Sequence, residues 1–522
     1  MSKLKFFLLI FTGILAVTIV SAQENKIILH PDQVQFTINK NIYSHFAEHL
    51  GRGIYGGLWV GENSSIPNTR GIRNDVVVAL KAIEIPALRW PGGCFADEYH
   101  WKNGIGPKEL RPTMINTNWG GVTEDNSFGT HEFLDLCNQL GCEPVICGNL
   151  GSGTVEEMSQ WVEYLNSDNI SPMTDLRKKN GRNESWEVKY WGLGNEAWGC
   201  GGSMTPDFYF DQMMRYSNFC RDYGSNQLYR IACGPSGDDY NWTEVMMKRW
   251  SQKSDWDKIK MNALSLHYYT ICHDWSHKGS ATQFDESEWF STIKQTLVIE
   301  EFISKHIAIM DKYDPEKKVG LLVDEWGNWF DVEPGTNPGF LYQQNTLRDA
   351  IVTGINLNIF NSHADRVAMA NIAQMVNVLQ SVILTKDDKI VLTPTYYAFQ
   401  MYKDHMGAGL IPMDLNCTNY TLDGSTIPSL SASASIQKDG NITMTIVNVD
   451  PNSGRNLLIF AGIDIGKVEA VVLTSARMND YNDFEKAISV KPIQFTDFKV
   501  DNKEIRVNIP EKSIVKMTLI TK

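Results

Sequence analysis

The strongest constraint on this chain is a series of eight short apolar runs between about residues 40 and 390, with helical patterns between them. The runs begin near Tyr43 (YSHFAEH), Pro86 (PALRWPGG), Pro144 (PVICGNLG), Glu187 (EVKYWGLGNE), Tyr229 (YRIACGPSG), Met261 (MNALSLHYY), Val319 (VGLLVDEW) and Leu357 (LNIFNSH). Each is short and continuously apolar and stops at polar or Gly residues, as a parallel strand buried on both faces does. Ile72–Ile83, His131–Leu140, Pro206–Tyr223, Glu301–Tyr313 and Phe340–Thr353 place apolar residues at helical spacing. Eight such units predict an α/β fold, a (β/α)8 TIM barrel over residues 40–392. An open doubly wound sheet shares the alternation, but no GxGxxG follows the first strand.

Beyond residue 392 the texture changes. SLSASASIQ, NITMTIVNV, VEAVVLTSA and EIRVNIPEKSIVKMTLI alternate apolar and polar positions, and Asp439-Gly440 supplies a hairpin turn. Residues 393–522 are therefore expected to form an antiparallel β-sandwich. The strand-like NKIILHPDQVQFTI lies outside the barrel count, so residues 23–39 are expected to add strands to the same sandwich.

Residues 1–22 read as a signal peptide: Lys3 and Lys5, an apolar centre from Phe6 to Val20, and Val20-Ser21-Ala22 before Gln23. An N-terminal membrane anchor is the alternative, but the apolar run is short for a span. The expectation is a secreted or periplasmic protein, free of the membrane after cleavage. With 48 basic and 61 acidic residues the net charge is −13. That balance disfavours nucleic acid and anionic membranes and suits a neutral polysaccharide or oligosaccharide. The nine cysteines are scattered without a CxxC pair, so a disulfide scaffold, a zinc site and any cofactor are not expected, and most cysteines read as small buried apolar residues.

In a barrel of this kind the C-terminal strand ends converge on one mouth. Those ends supply Glu48, Arg89 and Cys94, Asn195 and Glu196, His267 and Tyr269, and Asp324 and Glu325. The mouth is rich in carboxylates and aromatics and lacks a thiol–His pair. Glycoside hydrolysis needs this inventory, with one protonated carboxyl and one carboxylate flanking the anomeric carbon. Glu196 and Glu325 are the best pair, because each ends a strongly apolar strand where an unpaired charge is costly. Placed on strands four and seven, they are expected about 5 Å apart, the spacing of a retaining mechanism. Structural readings compete: strand-end carboxylates also cap helices, Arg89 also suits a pair with Glu48, and His267 and Tyr269 also suit core packing. Trp119 and Trp329 read equally as walls of the site and as buried aromatics.

The segments FAEHLGRGIYGG, RWPGG, CFADEYHW, NWGG, WGLGNEAWG, SLHYY, DEWGNW and ANIAQMVNV, in this order from about Ile42 onward, resemble glycoside hydrolase family 51, the α-L-arabinofuranosidases. The resemblance implies a barrel with a jelly-roll-like sandwich, retention of anomeric configuration and a homo-oligomer. It implies Glu196 as acid/base, Glu325 as nucleophile, Asn195 on the sugar 2-hydroxyl and Tyr269 on an oxygen of the nucleophile. Glu48, Arg89 and Gln374 would bind the other hydroxyls beside His267, and Cys94, at a position relatives fill with Asn or Cys, would line the pocket. The expected activity is exo-hydrolysis of arabinofuranosyl side chains of arabinan or arabinoxylan. Endoglucanase or β-xylosidase activity, and non-catalytic carbohydrate binding, are the alternatives.

Overall fold

The computed structural model describes residues 25–252, 260–485 and 490–522; the signal-peptide reading falls outside them. Eight parallel strands close into a barrel and are numbered here β1 Ser44–Phe46, β2 Ala87–Trp90, β3 Glu143–Gly148, β4 Tyr190–Leu193, β5 Tyr229–Ala232, β6 Ala263–Thr270, β7 Gly320–Asn328 and β8 Val367–Ile372. The seam closes where β8 pairs with β1, Asn371 opposite Ser44 and Ile372 opposite His45. Ala87, Val145, Ile231, Ala263, Leu322 and Met369, from six strands, form one buried cluster inside the barrel. This cluster plugs the floor, so only the C-terminal end of the strands offers a mouth.

The eighth strand differs from expectation. The run at Leu357 is not a strand but part of a helix, Leu347–Ser362, and β8 is Val367–Ile372. Every residue from Leu347 to Asn361 is buried. A helix covered on all sides has no polar face, so its apolar run mimics a buried strand. It is covered because it lies between barrel and sandwich. Phe360 packs edge-on against Trp326 of β7 at 5.3 Å, while Asn358 and Asn361 donate to Ser431 and Ser433 of the sandwich, each at 3.1 Å. Gly354 allows the close approach, since a Cβ there would meet Val447 Cγ2 at 2.8 Å. Each fully buried Ile or Phe on this helix stabilises the joint by about 1.5–3 kcal/mol.

The sandwich begins later than residue 393, because Pro394–Tyr402 is a helix, started by Thr393, whose side chain accepts from Tyr396 N. Its six-stranded sheet runs Gly409–Leu410, Leu430–Ile436, Ile442–Asn448, Ser513–Thr521, Ile465–Leu473 and Ile493–Gln494. The five-stranded sheet contains Asn25–Leu29, antiparallel to Met413–Asn416 and parallel to Arg455–Phe460, so one pair departs from the antiparallel pattern. No helix among the described residues is long and apolar enough to cross a membrane.

Candidate active site

Glu325 sits in a β-bulge. Leu266 of β6 pairs with Val323, but His267 pairs with Glu325, leaving Asp324 as an extra residue on β7. Consecutive strand residues normally face opposite sides, and the bulge lets Asp324 and Glu325 both reach Arg89. Arg89 Nη1 donates to Glu325 Oε1 at 2.8 Å, its Nε lies 3.2 Å from Asp324 Oδ2, and Nη2 donates to Asn195 Oδ1 at 2.6 Å. Asn371 on β8 pins the other oxygen of Asp324 at 2.5 Å. Arg89 is only 2% exposed, and its guanidinium lies 4.5 Å from the Phe46 ring centre. Its partners are thus Asp324, Glu325 and Asn195. It thereby orients two site residues, Glu325 and Asn195.

Tyr269 donates to Glu325 Oε2 at 2.7 Å. Burial pushes the Glu325 carboxyl up, but the charges of His267 and Arg89 and the bonds from Arg89 and Tyr269 outweigh it, holding the group below its ordinary range. His267 Nδ1 lies 3.0 Å from Glu196 Oε1 and 3.6 Å from Glu325 Oε2. Burial lowers the affinity of His267 for a proton, and the two carboxylates more than restore it, so its pKa is raised. Oxygens of Glu196 and Glu325 lie within 4.8 Å of one another.

Glu196 follows β4 in a left-handed turn, φ +39°, closed by Gly199 N and Gly201 N donating to its carbonyl at 2.7 and 3.1 Å. Strain of this kind, of order 1–3 kcal/mol, persists where the surroundings enforce it. Asp97 is one enforcer that sequence reasoning missed. Its buried carboxylate accepts from Leu150 N, Gly151 N and Asn195 N at 2.8, 2.7 and 2.8 Å, joining the ends of β3 and β4. Burial, only partly offset by these bonds, pushes Asp97 up to about 7. Its place inside CFADEYHW was the sole signal.

A disulfide between Cys94 and Cys200 is the second enforcer, and it corrects the expectation that scattered cysteines without framework spacing form no disulfide framework. Nothing in the spacing marked the pair; β2 and β4 bring together cysteines 106 residues apart. Both sulfurs lie near Glu196 Oε2, at 3.9 and 3.6 Å. Cys94 does line the pocket, but as half of a disulfide, so a thiol reagent has no free thiol there to modify.

Glu48 lies deepest. It accepts from Phe95 N at 3.0 Å, Trp119 Nε1 at 2.9 Å and Gln374 Nε2 at 3.1 Å. Burial and the nearby Glu325 charge push it up to about 7. The backbone of RWPGG passes close by: a Cβ on Gly92 would meet Glu48 Oε1 at 2.9 Å, and one on Gly93 would meet Glu325 Oε1 at 3.0 Å. The two glycines are needed for that close approach. Trp329 stands edge-on to Tyr269 at 5.0 Å. Glu48, Cys94, Trp119, Glu196, Tyr269, Glu325, Trp329 and Gln374 line one small pocket together with Leu50, Leu341 and Leu379. His267 contacts both Glu196 and Glu325 beside this pocket, and Arg89 joins Glu325 to Asn195. Larger recesses elsewhere on the surface, one lined by Arg70, Glu132, Asp135 and Arg182, hold no facing carboxylate pair above a strand end.

Residues 79–269 match the family model described as an alpha-L-arabinofuranosidase 1 domain, and residues 324–513 match the alpha-L-arabinofuranosidase C-terminal domain. The chain is 54% identical over 517 residues, 98% of its length and 99% of the relative's, to an intracellular exo-alpha-L-arabinofuranosidase of Bacteroides ovatus. It is 35% identical to a probable alpha-L-arabinofuranosidase C of Aspergillus niger, covering 81% of this chain and 84% of that one. Among solved structures, the family 51 arabinofuranosidase of Xanthomonas axonopodis superposes with a TM-score of 0.93 at 47% identity, covering 96% of this chain and all of the other. The Thermotoga maritima α-L-arabinofuranosidase, solved with arabinose, does so at 0.82 and 30% identity, covering 95% of this chain and all of that one. The Bacteroides relative, named as intracellular, overturns the expectation of a secreted or periplasmic enzyme. An apolar N-terminal run read in isolation was not a sufficient basis for export. Fold, pocket and relatives agree on one assignment: the chain is a glycoside hydrolase and belongs to the α-L-arabinofuranosidases of family 51.

Proposed function

We propose that this enzyme is a retaining exo-α-L-arabinofuranosidase that removes terminal arabinofuranosyl units from arabinan, arabinoxylan or the oligosaccharides derived from them. The observation that carries the reading is the separation of the two carboxylates, with oxygens within 4.8 Å. Retaining enzymes hold theirs about 5–5.5 Å apart, too close to admit a water between nucleophile and sugar, whereas inverting enzymes need about 6.5–9.5 Å.

In the first step Glu325 attacks the anomeric carbon and Glu196 gives its proton to the departing glycosidic oxygen, leaving a covalent arabinosyl-enzyme. In the second, Glu196 as a carboxylate takes a proton from water, which displaces Glu325 and restores both groups. Arg89 and Tyr269 keep Glu325 ionised and aimed, and His267 holds Glu196 while placing positive charge between the pair. Asn195 meets the sugar 2-hydroxyl, Glu48 and Gln374 take other ring hydroxyls, and Trp119, Trp329 and the Cys94–Cys200 disulfide form the walls. Exo action needs a pocket for one terminal sugar and an endoglucanase needs an open cleft; a small recess ringed by Leu50, Leu341, Leu379, Trp119 and Trp329 suits the former. The Bacteroides relative is likewise named an exo-enzyme. Assembly into a homo-oligomer belongs to the same proposal, and light scattering of the purified enzyme tests it.

Proton NMR of the first sugar released, read before mutarotation, tests the mechanism. The α-anomer is expected, and an initial β-anomer would make Glu325 a general base. Parallel digestion of arabinan and arabinoxylan identifies the preferred polymer.

A further inference from the structure

Outside the sugar pocket, the loop that follows β6 carries a second convergent group. Cys272, His273 and Glu288 each offer a donor atom, and these atoms all lie within 4.8 Å of one another. His273 Nε2 lies 3.0 Å from Glu288 Oε1, and the Cys272 thiol lies 3.5 Å from the Glu288 carbonyl. Neighbours in an extended chain usually point apart, yet Cys272 and His273 both turn toward the first turn of the helix Glu286–Tyr313. Gly279, at φ +86°, backs the same space: a Cβ there would lie 3.1 Å from Glu288 Oε1 and 3.5 Å from both Cys272 Cβ and His273 Cδ2. The His277 ring stacks on His273 at 5.3 Å, with its Nδ1 3.0 Å from Asp331. A plain His273–Glu288 ion pair, partly exposed, contributes about 0–1 kcal/mol, and such a pair does not call for a thiol within reach of both partners. None of these side chains takes part in the proposed hydrolysis.

We propose that Cys272, His273 and Glu288 form a binding site for a divalent transition metal of the zinc class. Thiolate, imidazole and carboxylate are the borderline-soft donor set that zinc and cobalt(II) select over magnesium or calcium. Tetrahedral bonds of about 2.0–2.3 Å separate ligand atoms by roughly 3.3–3.8 Å, within small side-chain shifts of the present cluster. Three protein ligands leave a fourth position for water. On binding, Cys272 loses its proton to solvent and becomes a thiolate ligand. The metal would tie the loop to the helix start. That loop carries Trp275, which packs edge-on to the pocket residue Trp329 at 5.4 Å, so occupancy would stiffen one wall of the pocket.

The test is titration of the full-length enzyme, stripped with a chelator and with Cys94–Cys200 left oxidised, with cobalt(II). One equivalent per chain is expected to produce a thiolate-to-cobalt charge-transfer band in the near ultraviolet, which zinc then removes. Cys272→Ser should abolish the band, and Glu288→Gln should weaken cobalt binding at least about tenfold. Zinc should raise the melting temperature of the parent enzyme and not that of Cys272→Ser. Activity on an aryl arabinofuranoside confirms that each variant is folded, and Glu288→Gln serves alone if Cys272→Ser is not. Absence of the band in the parent enzyme, or its persistence in Cys272→Ser, overturns the proposal. Because the readout is metal binding, failure here leaves the hydrolytic reading untouched.

Discussion

The ends of β4 and β7 present the same side chain to the same pocket in contrasting surroundings. Glu325 has 7% of its side chain exposed and is held by Arg89 and Tyr269, with His267 close by. Glu196 has 19% exposed, one hydrogen-bonding partner in His267, and a disulfide against its other oxygen. Surrounded by fixed donors and positive charge, Glu325 stays ionised. Glu196, the more open of the two, is the one that the proposed mechanism uses to hand a proton to the leaving group. On the proposed mechanism two identical carboxyls take different work from what surrounds them, and no chemical difference between them is needed.

The severest way to break the comparison is Glu325→Ala. Turnover is expected to fall by at least about 10⁴-fold with the fold intact, measured on an aryl arabinofuranoside alongside thermal melting. Near-parent activity would remove Glu325 from its role. Glu196→Ala should divide substrates by leaving group. Those with poor leaving groups should lose about 10²–10⁴-fold, and activated phenols far less, because only the former need the proton. Equal losses on both would mean that Glu196 is no acid.

A subtler change tests the bulge. Asp324→Asn removes the charge that Arg89 shares between Asp324 and Glu325 and loosens the aim of the nucleophile. A kcat loss of about 10²-fold is expected, with little change in KM, as displacements near 1 Å produce. A loss confined to KM would place Asp324 in binding.

The smallest expected effect concerns Glu48. Its folded pKa of about 7 lies above the ordinary 4.5, so the unfolded chain ionises first as pH rises. Its burial therefore costs nothing below about pH 4.5, costs more as pH climbs through 7, and is constant above. Glu48→Gln does not titrate, so its stability relative to the parent should improve across that window by at most about 3 kcal/mol. Melting curves at pH 4.5, 6 and 8 read the trend, and a flat difference would show that Glu48 is ionised throughout.

Much of this was visible in the chain before it was folded. Seven apolar runs marked barrel strands because a strand buried on both faces must be apolar along its own length. Glu196 and Glu325 stood out because each ends such a run. Elsewhere, one local pattern served two structures: LNIF is equally at home in a buried strand and in a helix wrapped on all sides, and only the sandwich packed over Asn358 and Asn361 decides for the helix.

Local patterning, which follows from the period of each element, thus determined the barrel, its mouth and the carboxylates at its rim. Tertiary structure decided which groups meet there. It turned Arg89 from Glu48 toward Asp324 and Glu325, joined Cys94 to Cys200, set Asp97 under Asn195, and inserted the extra residue that aims Glu325. Each of these joins residues far apart in the chain, and such contacts are set by barrel closure and strand register, which no local spacing records.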